Sequence, residues 1–255
     1  KSLPEIAQSV ERKTGWKVDL SQLVFKVVSP QELQRLTLED TTRRTGIPAQ
    51  TPSSLSGRFV NLLLSAFHRG VTGIYLSSQG AILINEERAR GISQDSVRSL
   101  LHHELTHVAQ HQAHPTFMKA IDDLVRELQL VGRHGGDLPR DERQRRFVPL
   151  MERVQARMSL IEGQAVALQR MYEREHGLNP KVKMGPIEVA LGLASILVPG
   201  GAQKILQYIQ GKAIFEKIYA LGVDKVDALF KDPASVDQVF GPPGRKDCLL
   251  YTSDA

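Results

Sequence analysis

"LLHHELTHVAQ", residues 100–110, decides how this chain is read. His103 and His107 bracket Glu104 inside a run that is otherwise largely apolar. Ahead of it, Ser93 is a natural N-cap, with Asp95 placed in the first turn against the helix dipole. Val97, Leu101, Leu105 and Val108 then recur at spacings of four, four and three, which marks one stripe of a helix facing a core. The two histidines lie at i and i+4, about 40° apart around the axis and off that stripe. They point together at something other than the main core.

Metal ligation is the chemistry that uses this spacing. Two imidazoles on successive turns bind one Zn²⁺ at about 2.0–2.1 Å each, and the glutamate that follows the first stands beside the ion, free to act as a base. A tetrahedral catalytic site takes three protein ligands and leaves the fourth position to water, so a third ligand is expected elsewhere. The candidate is Glu162, in "SLIEGQAVALQ" (159–169). It falls at the apolar centre of a long helix expected from about Asp141 to Glu175, where a buried carboxylate without a partner is costly. Ala165, one turn later, is small enough to let this helix approach the histidine helix. The alternative for Glu162 is an ion pair with Arg157 or Arg170.

The other histidines fit ligation less well. A second HExxH-type pattern wants a histidine six residues after the second ligand, and that position is Ala113. His111 would place three groups along one straight helix face, which closes a tetrahedron poorly. His114 precedes Pro115, where the helix is expected to end. Both read as supporting or surface groups, and His102, about 100° from His103, as a packing or surface residue.

Composition limits the remaining possibilities. With 255 residues, 41% hydrophobic and 24% charged, the chain can bury a core, and residues 1–247 are read as a single domain. The net charge of +5 is mild; "RDERQRR" (140–146) carries Asp141 and Glu142 among its arginines and reads as a solvated helix start. No nucleic-acid partner is expected. Residues 248–255, "CLLYTSDA", look like the translation of a sequencing adapter, and the single cysteine, Cys248, goes with them. The cysteine-free remainder offers neither disulfides nor thiol catalysis. No stretch reaches the roughly 18 apolar residues of a spanning helix. The nearest, "IEVALGLASILV" (187–198), contains Glu188 and reads as a buried helix or hinge. A membrane-touching role for that segment is the alternative, and a membrane anchor or signal peptide preceding Lys1 is left open.

A coarse pass gives an α+β chain, mainly α, with a small N-terminal sheet and a helical C-terminal part. Leu3 to Lys13 reads as a helix and Leu23 to Val28 as a strand. Ser29 and Pro30 open a helix through about Leu38, and Thr41 to Ser56 reads as a loop ahead of an apolar helix near Phe59 to Phe67. Two short strands, Gly73 to Ser78 and Gly80 to Glu86, flank Gln79-Gly80. Beyond Ser93 the pattern is mostly helical, with no internal repeat.

Together, "HELTHVAQ" (103–110) with uncharged flanks, "EGQA" (162–165) and "QYIQGKAIFEKI" (207–218) resemble poorly characterised bacterial zinc metallopeptidases of the gluzincin type, within the zincin superfamily. The likeness runs from "VVSPQEL" (27–33) to "DPASVDQVF" (232–240). It implies a zincin-like fold and one Zn²⁺ on His103, His107 and Glu162. The ion would lower the pKa of its water, and Glu104 would take that water's proton during attack on a peptide carbonyl and pass it to the leaving amine. A further donor to the oxyanion is expected, with Tyr208 and His176 as candidates beside ordinary packing roles. "GAILINE" (80–86) occupies the place of the strand that aligns an extended peptide or protein substrate. An exported or envelope location is slightly favoured over a cytoplasmic one. The alternative function is a partner-binding or envelope protein of the same fold with a structural or vestigial metal. The intact Glu104 argues for hydrolysis, since a structural site needs no base. A plain helical domain with satisfied core histidines is the third reading.

Overall fold

The computed structural model describes residues 2–48, 72–134, 139–180, 219 and 223–239. Helix α1, Leu3–Thr14, opens on a reciprocal capping box between Ser2 and Glu5 and closes at Gly15, whose φ of 74° suits a residue without Cβ. Strand β1, Val24–Val28, leads into α2, Pro30–Thr45. Next come β2 (Gly73–Leu76), a 3₁₀ turn (Ser77–Gln79), β3 (Ala81–Asn85) and the short α3 (Glu86–Ala89). Helices α4 (Gln94–Ala113), α5 (Pro115–His134) and α6 (Arg140–Glu175) follow, then α7 (Val223–Lys231) and α8 (Pro233–Val239). The chain is α+β and mainly α.

The helix after β1 runs well past its expected end at Leu38. Thr37, Thr41 and Thr45 each turn their hydroxyl back onto the carbonyl four residues earlier, so side chains that usually compete with a helix satisfy themselves inside it. Arg35 pairs with Glu32 and Glu39 on the outer face, and Gly46 at φ 69° ends the helix. Residues 41–45 are therefore helical, not loop.

The sheet has strand order β1-β3-β2, with β1 parallel and β2 antiparallel to β3. Central β3 is covered on both faces, which accounts for its unbroken apolar run. Ala81 and Leu83 pack with Leu33 and Leu36 of α2, while Ile82 and Ile84 join the main core. That core is built from Ile6 and Val10 of α1, Leu105 and Val108 of α4, Phe117 of α5, Leu160 and Tyr172 of α6, and Phe230 of α7. The topology corrects one expectation: both edges of β3 are occupied, so "GAILINE" cannot align a peptide. Among the described residues, β2 is the edge strand beside α4.

Ser93 caps α4 as expected, its Oγ accepting from the Ser96 N–H. The long α6 lies along both α4 and α5, with Ala165 fully buried. No helix among the described residues is long and apolar enough to cross a membrane. The segments near 59–67, 187–198, 207–218 and 248–255, and with them Tyr208, lie outside the described residues.

Candidate metal centre

Helix α4 turns His103 and His107 toward α6, and their Nε2 atoms stand 3.1 Å apart. From α6, Glu162 Oε2 reaches within 3.6 Å of His103 Nε2 and 3.7 Å of His107 Nε2. Ligand atoms around a tetrahedral ion with 2.0–2.1 Å bonds lie roughly 3.3–3.4 Å apart, so this triangle brackets the required size. Two imidazole nitrogens and a carboxylate oxygen also make up the donor set that suits a divalent zinc ion. The competing partners for Glu162 are engaged elsewhere: Arg157 bonds Asp237 and the Ala120 carbonyl, and Arg170 bonds Glu173.

The local field attracts positive charge. Burial works against a charged His103, yet the carboxylates of Glu162 and Glu104 outweigh it and raise the imidazole's pKa. Glu104 is 4% exposed, and burial raises its pKa against the pull of His103 and His107. Its carboxylate accepts the backbone N–H of Tyr75, in β2.

That hydrogen bond follows from strand register. The Asn85 N–H donates to the Thr72 carbonyl at 2.9 Å, which makes Thr72–Asn85 a hydrogen-bonded pair of the β2–β3 ladder. By alternation Gly73 and Tyr75 are non-hydrogen-bonded positions, whose main-chain groups turn away from β3. Both residues border a cavity of about 290 Å³ that also contains His103, Glu104, His107 and Glu162. The lining also includes an apolar group, Met118 and Ile121 from α5 and Met158 and Ile161 from α6.

The remaining histidines sort by contact. His111 lines the same cavity, its ring edge-on to Tyr75 at 5.4 Å, and burial lowers its pKa to about 3. It is a neutral cleft-wall group. His102 is fully buried and stacked on Tyr172 at 4.4 Å, also with its pKa lowered to about 3 by burial. His114 stacks on Phe230, and His176 sits against the Tyr172 carbonyl at the end of α6, away from the cavity-lining residues. The structure therefore does not bring His176 to the place expected for an oxyanion donor.

Several residues in and behind the cleft lining carried no sequence signal. Arg44 binds Asp40 and Asp122 at 3.0 Å each, and Asp40 also accepts the Ser78 N–H, which ties α2 to α5 and to the turn after β2. The signals available were an Asp40–Arg44 spacing of four, common on any solvated helix, and nothing at all for Asp122. The Nδ1 atoms of His103 and His107 meet Gln169 and Gln110.

No family model matches the sequence, and the search of curated proteins found no match. A solved structure shares the fold. It is a crystal structure described as "a putative hydrolase with a novel fold from Chloroflexus aurantiacus", similar with a TM-score of 0.53 over 92% of this chain and 82% of that chain, at 19% identity. At that identity the likeness is one of fold. The gluzincin resemblance continues to rest on the motif residues themselves.

Proposed function

We propose that this protein is a zinc-dependent hydrolase of peptide (amide) bonds, with His103, His107 and Glu162 as metal ligands and Glu104 as general base. The observation that carries the reading is the convergence of three acceptor atoms within 3.1–3.7 Å of one another beside a buried glutamate, on the wall of an open cleft. Zinc bound there would supply an activated water and polarise the scissile carbonyl. Glu104 then has the placement of a proton carrier. It is held by the Tyr75 N–H, and burial raises its proton affinity, so it suits both taking a proton from water and giving one to the leaving amine. Strand β2 offers the outward main-chain groups of Gly73 and the Tyr75 carbonyl to an extended substrate, a role expected of β3 and transferred here to the edge strand. The apolar part of the cleft lining, Met118, Ile121, Met158 and Ile161, receives a substrate side chain. Tyr208 is the candidate for an additional oxyanion donor. The description of the Chloroflexus aurantiacus neighbour agrees with hydrolytic chemistry at the level of reaction class.

The test pairs metal content with digestion. Purified protein should hold one zinc per chain, and Glu162→Ala should lose it. A peptide-library digest should show cleavage that disappears in Glu104→Gln and weakens in Tyr208→Phe. Zinc binding with no cleavage, identical in parent and Glu104→Gln, would move the protein to the partner-binding reading. Stoichiometric zinc unchanged by Glu162→Ala would remove the third ligand.

A further inference from the structure

Behind the two histidines lie hydrogen-bond chains whose direction can be worked out from their far ends. From His103, Nδ1 meets Gln169 Oε1 at 3.2 Å, Gln169 Nε2 donates to Ser99 Oγ at 2.6 Å, and Ser99 Oγ donates to Glu173 Oε1 at 2.6 Å. Arg170 holds the other oxygen of Glu173. A carboxylate only accepts, so the Ser99 proton is committed to Glu173 and its oxygen must accept from Gln169. The Gln169 amide nitrogen therefore faces Ser99, its oxygen faces His103, and Nδ1 must be the donor. From His107 the same logic ends on a backbone carbonyl. Gln110 Nε2 donates to the Ile161 carbonyl at 2.9 Å and to Gln164 Oε1 at 2.8 Å, which leaves Gln110 Oε1 to accept from His107 Nδ1 at 2.8 Å.

We propose that Gln169 and Gln110 are positioning residues that lock His103 and His107 in the Nδ1–H tautomer, each amide being oriented by a group that can only accept: Glu173 through Ser99, and the Ile161 carbonyl. With Nδ1 fixed as donor, each Nε2 presents a lone pair toward Glu162. The inference rests on the metal-site reading above but concerns residues that never touch the metal. It also makes an unusual second layer. Ligand histidines commonly lean on carboxylates or backbone carbonyls, whereas here neutral amides stand in between. Ser99 and Glu173 are both nearly inaccessible, so water cannot easily replace a missing link. An isosteric change is expected to be harmful: a glutamate at 169 or 110 keeps the shape but turns an acceptor oxygen toward Ser99 or the Ile161 carbonyl, where a donor is required.

The experiment measures zinc affinity by competition with a chromophoric chelator, and imidazole tautomers by long-range ¹H–¹⁵N spectra of the zinc-loaded protein. Ser99→Ala, Gln169→Glu and Gln110→Glu should each weaken zinc binding about 10- to 100-fold. In the parent, both ligand imidazoles should show a slowly exchanging Nδ1–H, and Ser99→Ala should lose that protection at His103 alone. Val236→Ala, a core truncation on α8 outside the relay, should lower the melting temperature with zinc affinity kept, which separates positioning from general stability. Parent-like affinity and protected Nδ1–H signals in all three relay variants would overturn the relay while leaving the metal site intact. A parent protein that binds no zinc would overturn both.

Discussion

Leu100 packs over Gly73 so closely that a Cβ added at Gly73 would lie 3.1 Å from both Leu100 methyl carbons. This contact presses edge strand β2 against α4 and brings the Tyr75 N–H to Glu104. A Gly73→Val change should push the strand outward and break that hydrogen bond while leaving the three ligand side chains alone. Peptide hydrolysis is expected to fall roughly ten- to a hundredfold in kcat/KM with one zinc retained. Parent kinetics in this variant would show that strand position is irrelevant to the reaction.

Glu104→Gln keeps the volume and removes the base. Cleavage should drop about 10²- to 10⁴-fold, with metal content unchanged, as read by peptide assay and elemental analysis side by side. Equal loss of metal and activity would recast Glu104 as part of the binding site.

Zinc should stabilise the fold, because its three ligands, carried on two helices, come together only in the native state. At free zinc 100 times its Kd the gain is about 2.7 kcal/mol. Chelation should therefore lower the melting temperature of the parent and barely move that of Glu162→Ala. Calorimetry with and without chelator checks it, and a chelator-insensitive parent would sink the prediction.

His102 and His114 are both kept neutral by burial, their pKa values held below the ordinary 6.5 and, for His102, down to about 3. As pH falls, the unfolded chain takes up these protons before the folded one does. Their contribution to stability is thus whole above about pH 6.5 and lost as pH drops toward the folded values. For metal-free protein, the urea midpoint should decline from neutral pH to about pH 4, with a shallower slope in His102→Phe and in His114→Phe. Slopes identical to the parent would contradict the buried, neutral assignment.

The Tyr172 hydroxyl is buried and finds no hydrogen-bond partner among the described residues. Tyr172→Phe should therefore keep the stack on His102 and stabilise the protein by about 1 kcal/mol. A loss of that size in chemical denaturation would mean the hydroxyl is satisfied after all.

Much of this protein was determined by local pattern. The i, i+4 histidines, the Ser93 cap and the apolar stripe through Leu105 and Val108 specify a helix with two imidazoles off its core face, and no distant residue is needed to see it. The carboxylate at 162 was legible as a charge in a largely apolar stretch of helix that calls for a partner, although in the fold its side chain is 24% exposed at the cleft and not buried. What only the tertiary structure decided is what crosses between elements. Edge-strand status belongs to β2 and not β3 because sheet order is a long-range choice, which leaves no mark on the strands' own composition. Gln169 lies on a different helix from His103 and Ser99, and Asp122 on a different helix from Arg44. Their side chains are ordinary surface types until α6 and α5 dock, when the need to satisfy every buried polar group selects each partner. Even α2 outran its local reading, since threonines that look like loop residues in isolation settle into a helix once it is fixed against the sheet.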